Sequence, residues 1–276
     1  MNLDGKDVTE LLAVAQAGTR AAGQIALRHA HGKIIDKGDR DFVSEADVAA
    51  EHAVRELLNQ RTPGIPTLGE EEGGPDPSAD LVWVVDPIDG TVNYLRGLPT
   101  FAVTLSLLTA GQTALAATYL PDHDAMYTAI QGHGSHLNGK PLSASAPANL
   151  REAVIAIDQF TFVDDDPQAM NALRLGIIQA LVPIVHRLRI YGASAVDLAW
   201  TAQGKLDACI MLGNKPWDTS GGVLMARESG AVATDIAGVA HSVSSESALV
   251  ASPLIGEELL AAIGSVVSAG RSHAGS

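Results

Sequence analysis

A chain of 276 residues, 46 % hydrophobic and 18 % charged, has the apolar material for a buried core and the length for one large domain or two packed halves. Lys and Arg number 18 against 32 Asp and Glu, a formal net charge of −14, so the surrounding field repels nucleic acid. A small anion is welcome only where cations are bound locally. Cys209 is the only cysteine, which excludes an intramolecular disulfide and a two-cysteine metal site. No uncharged apolar run reaches the roughly 18 residues needed to cross a bilayer. The acidic start, Met1 to Glu10, lacks the basic and apolar regions of a signal peptide, so a soluble cytoplasmic protein with no membrane association is expected.

In chain order, Asp7 and Glu10 resemble a capping box, and Leu11, Leu12, Ala15, Ala22, Ile25 and Ala26 predict a helix over about 8–30. Ser44 and Asp47 mark a second helix start, with Val54, Leu57 and Leu58 as its buried stripe. The Pro- and Gly-rich stretch 62–77 reads as loop. Leu81–Val85 reads as a buried strand stopping at Asp86-Pro87. Runs at 101–108, 113–119 and 125–130 predict an antiparallel meander, and Asn138-Gly139 a two-residue hairpin turn. Beyond it the pattern alternates: strand-like 153–157, helical 167–181, strand-like 186–191, helical 195–203, strand-like 206–212, helical 219–229. The change suggests an antiparallel-rich α+β half, 1–145, an α/β half, 146–268, and a frayed tail, 269–276, in stacked layers of helices and sheets.

Asp86-Pro87-Ile88-Asp89-Gly90-Thr91 directly follows a buried strand. Carboxylates three residues apart, with a carbonyl between them, suit a hard cation such as Mg²⁺, and N–H groups at Gly90 and Thr91 suit a phosphate. The plain alternative is a turn that caps a helix. Glu70-Glu71-Glu72, flanked by glycines, is either a second carboxylate cluster or a solvated turn. Asp218, in Trp217-Asp218-Thr219, reads equally as a helix N-cap. Asp47 is the acidic half of a capping box or a carboxylate kept ionised as a proton acceptor. His133 and His136 have no metal-type context and read as turn residues.

Together these segments resemble the inositol monophosphatase family across nearly the whole chain. WVVDPIDGTVNYLRGLP, 83–99, and WDTSGGVLMARESGA, 217–231, are similar to its two signatures. Lys37, Asp41 and Asp47, the GEE at 69–71, and Gly192-Ala193-Ser194 stand in matching order. The resemblance implies an α+β fold layered αβαβα, a homodimer, and Mg²⁺-dependent, Li⁺-inhibited hydrolysis of a small phosphate monoester. It implies that Glu70, Asp86 and the Ile88 carbonyl hold one metal and that Asp86, Asp89 and Asp218 hold a second. Most of these ligands fall in the first half of the chain. Gly90 and Thr91 would bind phosphate, Glu70 and the Asp47–Thr91 pair would activate water, and Lys37 would belong to a flap. Asp89, Gly192, Ala193, Ser194 and Met211 would contact the alcohol. Four acids drawn together are destabilising unless paired. Two Mg²⁺ neutralise them formally, and a third leaves the site positive toward phosphate.

The substrate implied is inositol-1-phosphate or a similar polyol phosphate. Histidinol phosphate, fructose-1,6-bisphosphate and a 3′-phosphonucleotide are alternatives on the same scaffold. A family member whose main role is binding another protein is a reading of a different class. One departure bears on the substrate: Met211 stands where well-known inositol phosphatases carry a Glu that binds ring hydroxyls.

Overall fold

In the computed structural model of the chain, residues 2–3, 6–29, 34–38, 41–162 and 166–274 are described, with side chains left out at 2–6, 34–43 and 270–274. A ribbon of β1 (Asn2–Leu3) and β2 (Lys6–Asp7) leads into helix α1 (Val8–Arg28). Asp7 caps α1 by accepting the Thr9 N–H at 2.7 Å. Leu11, Ala15, Ala22 and Ala26 are buried on one face, as their spacing predicts. A second ribbon, β3 (Ile34–Gly38) with β4 (Asp41–Ser44), precedes α2 (Glu45–Arg61). The expected capping box is there: Ser44 N–H donates to Asp47 Oδ2 at 2.8 Å, and Asp47 N–H donates to Ser44 Oγ at 3.3 Å.

The next elements are β5 (Thr67–Gly69), β6 (Val82–Asp89), the short helix α3 (Thr91–Leu95), β7 (Ala102–Thr109), β8 (Gln112–Leu120), β9 (Ala125–Ile130), β10 (Ser135–Leu137) and β11 (Lys140–Pro141). They form one seven-stranded sheet in the order β11-β10-β9-β8-β7-β6-β5. All its pairings are antiparallel except β5 with β6. Asn138 and Gly139, at φ 49° and 78°, make the predicted two-residue turn between β10 and β11.

The second half supplies β12 (Val154–Ile157), α4 (Pro167–Leu181), β13 (Arg187–Arg189), α5 (Ser194–Ala202), β14 (Ala208–Leu212), α6 (Pro216–Glu228), β15 (Val232–Thr234), β16 (Ser247–Ala251) and α7 (Gly256–Ala274). The sheet runs β13-β12-β14-β16-β15. Its β13, β12 and β14 are parallel, as the alternation of strand and helix predicts, while β16 pairs antiparallel with both β14 and β15. The last two strands and α7 follow a stretch whose sequence gives no clear period.

Five layers result. Helices α1 and α2 cover one face of the larger sheet, burying Leu11, Val54 and Leu58 against Trp83, Leu105 and Leu115. Helices α5 and α6 lie between the sheets, where Val196, Leu198, Val223 and Met225 meet Ala116, Tyr127, Cys209 and Val250. Helices α4 and α7 close the far face of the smaller sheet through Ile177, Leu181, Leu259 and Ile263. This is the αβαβα sandwich of an α+β fold.

Candidate active site

Strand β6 is buried along its whole length, Asp86 and Asp89 included, at 2 % and 7 % exposure. Its apolar residues fix it between layers, and the strand, expected to stop at Asp86-Pro87, instead bulges against β7 there and pairs again at Asp89 with Ala102. Asp86 Oδ1 accepts the Ile88 N–H at 3.0 Å, which closes the turn around Pro87. Gly90 then takes φ +87°, and a Cβ there would lie 2.9 Å from the Ala193 Cβ and 3.1 Å from the Thr100 carbonyl oxygen. Only glycine fits. Asp89 faces the next layer: its two oxygens accept the Ser194 and Ala195 N–H groups at 3.0 and 2.8 Å, at the start of α5.

The parallel register pairs Gly69 with Val85, so Glu70 follows on β5 where Asp86 follows on β6. Glu70 N–H donates to the Val85 carbonyl at 3.3 Å, and Gly69 and Gly73 exchange backbone bonds that close the turn. Asp218 arrives from the opposite side, in the first turn of α6, accepting the Lys215 N–H at 2.6 Å. The glycines after it let α6 slot between layers. A Cβ at Gly221 would meet Thr104 Oγ1 at 3.0 Å, and one at Gly222 would meet Leu198 at 2.4 Å.

These four acids sense one another. Burial pushes Asp89 up to about 7, with the Asp218 charge adding to it and the α5 N–H groups opposing it. Asp218 is pushed up to about 6 by burial, opposed by the Lys215 backbone and ammonium. Asp86 rises well above the usual range through burial and then the charges of Glu70, Asp89 and Asp218. Glu70 rises too, through loss of hydration first and then Asp218 and Glu71, and its carboxyl is a hydrogen-bond partner of Asp86. Asp47, 1 % exposed, is raised by burial and held back by its Ser44 and Thr91 hydrogen bonds. Thr91 Oγ1 lies 3.2 Å from Asp47 Oδ1 and 3.2 Å from the Ile88 carbonyl oxygen, so the Asp47–Thr91 pair is formed.

Among the described residues, no three His, Cys, Asp or Glu side chains are already drawn together tightly enough to hold a metal ion. Like charges explain this: each acid turns to a nearby N–H or proton-sharing neighbour. The donor set is nonetheless all oxygen and anionic, running from buried Asp86 and Asp89 through half-buried Asp218 to exposed Glu70. That chemistry fits a hard divalent cation.

The Gly192–Ser194 segment sits beside this cluster. Gly192, at φ +73°, has the Gln159 amide oxygen 3.2 Å from where a Cβ would stand, and Ser194 opens α5 on Asp89. Met211 is placed differently: it is 1 % exposed and packed among Cys209, Val223 and Val250, with no face toward solvent. Lys37 lies on β3, and its side chain is outside the described residues. Two further residues matter that the sequence patterns did not single out. Asn93 Nδ2 donates to the carbonyls of Thr100 and Tyr191, at 2.8 and 2.7 Å, tying α3 to the Gly192 segment. Glu51, fully buried on α2, accepts backbone N–H groups of the Glu70 turn. Its signal was the inner-face spacing shared with Asp47, Val54 and Leu58.

Known proteins resemble this chain over nearly its whole length. The model of the inositol monophosphatase family matches residues 7–268. The inositol-1-monophosphatase ImpA of Mycolicibacterium smegmatis is 36 % identical over 259 residues, 94 % of this chain and 93 % of that relative. The fructose-1,6-bisphosphatase/inositol-1-monophosphatase of Aquifex aeolicus is 32 % identical, covering 83 % of this chain and 87 % of that relative. The solved structure of the Thermotoga maritima IMPase TM1415 superposes with a TM-score of 0.84 at 25 % identity, over 94 % of this chain and 99 % of that one.

Proposed function

The chain belongs to the inositol monophosphatase family and is a phosphoric monoester hydrolase, and from that premise we propose that it hydrolyses inositol-1-phosphate or a similar polyol phosphate at the Glu70–Asp86–Asp89–Asp218 cluster. The observation that carries the site is the convergence of four acids from the turn after β5, from β6 and from α6, three of them raised first by burial and then by one another's charge. The family is Mg²⁺-dependent in general. Glu70, Asp86 and the Ile88 carbonyl would hold one Mg²⁺, and Asp86, Asp89 and Asp218 another. When bound, the metal supplies positive charge that acidifies water and stabilises phosphoryl and leaving oxygens.

The chain's own groups do the rest. Backbone N–H groups at Gly90 and Thr91 orient the phosphate. Thr91 Oγ1, its proton directed to Asp47 or the Ile88 carbonyl, keeps lone pairs free to accept a hydrogen bond from water. Glu70 accepts the proton as the water oxygen bonds to phosphorus and the bond to the alcohol oxygen breaks. The departing alkoxide takes a proton from solvent water and leaves as the alcohol. Asp89 and the Gly192–Ser194 backbone would face that alcohol, with Lys37 on the flap strand.

The ImpA relative supports a polyol phosphate, and the Aquifex relative, named for two activities, keeps fructose-1,6-bisphosphate as the second reading. The dimer implied by the family resemblance is also proposed, and no described helix is long and apolar enough to cross a membrane. Phosphate release from inositol-1-phosphate, fructose-1,6-bisphosphate, histidinol phosphate and a 3′-phosphonucleotide, with Mg²⁺ or with EDTA, tests the reading. Highest kcat/KM on the inositol ester, abolished by EDTA, is expected. Full turnover in EDTA overturns the site, and preference for another ester overturns the substrate alone.

A further inference from the structure

Glu70 stands on an exposed turn, yet the turn is anchored from beneath by an ion pair between a fully buried acid and a partly buried arginine. Glu51, in the second turn of α2, is fully buried, and its Oε2 and Oε1 accept the Glu71 and Glu72 N–H groups at 2.9 and 3.1 Å. Arg55, one helical turn on, donates Nε to Glu51 Oε1 at 2.9 Å. Its Nη1 and Nη2 donate to the carbonyls of Thr67 and Gly73 at 3.0 and 2.6 Å, and Nε lies 3.3 Å from Glu72 Oε2. The pair thus grips both arms of the turn and its tip. Gly69 lets it do so: a Cβ there would lie 2.1 Å from Glu51 Oε1.

We propose that Glu51 and Arg55 are positioning residues that fix the Glu70 carboxylate opposite Asp86, so that the turn holds its place against the repulsion of the other acids and closes on a divalent cation. This rests on the functional reading above. Charge is part of the argument. A lone acid at Glu51 would add to an already negative site, whereas an acid neutralised by Arg55 offers two strong acceptors without adding net charge. A turn tethered for stability alone would not need both acceptors spent on the N–H groups of the two residues after Glu70.

Glu51→Gln tests this. It keeps the volume but turns an amide donor against a backbone donor, loosening the turn without removing any acid of the site. The half-saturating Mg²⁺ concentration, measured by calorimetry without substrate, should rise about 10- to 100-fold, with kcat falling over a similar range. The control is Leu58→Ala, in the same helix and fully buried. It should lower the melting temperature at least as much and leave Mg²⁺ half-saturation within about two-fold of wild type. If Glu51→Gln does not fold, Arg55→Lys carries the same expectation, because an ammonium cannot span Glu51, Thr67 and Gly73 together. A folded Glu51→Gln or Arg55→Lys with wild-type Mg²⁺ binding overturns the proposal, as does an equal shift in Leu58→Ala. A wild-type chain that binds no Mg²⁺ overturns the functional reading and this proposal together.

Discussion

Asp86 and Asp89 ride a strand buried along its whole length, while Glu70, their neighbour across a parallel pairing, rides a turn whose surface faces water. The strand is fixed by apolar packing on both faces, so its acids are placed by the core, and their raised pKa values record the cost of that placement. The turn has no core of its own. Its position comes from seven backbone contacts: two in its own Gly69–Gly73 closure, the Glu70 N–H on Val85, and four to the Glu51–Arg55 pair below. One half of the site is rigid because of hydrophobic burial, the other because of polar anchoring. They should fail differently when perturbed.

The largest effect is expected at Asp86→Asn, which changes charge on the rigid side without changing shape. Activity should fall about 10³-fold, the scale for losing a preorganised charge at a reacting centre. The metal-free protein should melt at the same temperature or higher, since one repelling charge is gone while the Ile88 N–H keeps an acceptor. Near-normal turnover at saturating Mg²⁺ would contradict a role for the strand-borne acid.

Met211→Glu asks the converse question, what an acid costs on a buried strand that offers it nothing. Strand β14 buries position 211 in an apolar cluster at 1 % exposure. The variant should lose about 3 kcal/mol or more of stability, measured by denaturant unfolding, because a new carboxyl is left unpaired. The ratio of kcat/KM between inositol-1-phosphate and glycerol-2-phosphate should stay within about three-fold, the reach of an apolar contact. A preserved melting temperature with a gain for the inositol ester would place the side chain against the substrate instead.

How much of this was legible beforehand follows the same division. Periodic, locally determined features came through: the α1 face, the Ser44–Asp47 box, the meander over β7–β9, the Asn138-Gly139 turn and α4 with its Pro167 start. The Asp86–Thr91 elbow was readable because Pro and Gly leave few backbone choices after a buried strand. The β5–β6 pairing was not, since three residues at 67–69 carry no period and acquire their strand only from the partner. The antiparallel β16 was missed for a like reason, its register being set by β14 across the sheet. Glu51 is hard to read as a functional residue because an acid in a helix with Arg four residues later normally reads as a solvated pair, and only its inner-face spacing with Asp47, Val54 and Leu58 sets it apart.

The central claim is that the four acids are held together against their own repulsion and require a cation. The direct test is the melting temperature of the wild-type chain from pH 4 to pH 8, in EDTA and in Mg²⁺. Asp89 at about 7 and Asp218 at about 6 lie above their unfolded values near 3.8. Between those limits the native state keeps protons that the unfolded chain has released. In EDTA, stability should therefore fall as pH rises from about 4 through about 7, as the unfolded chain releases protons that Asp89 and Asp218 keep. In Mg²⁺ the cation replaces the protons and binds the ionised acids, so the fall should be abolished and the gap between the two curves should widen with pH. Coincident curves in EDTA and Mg²⁺ across the whole range would contradict the account.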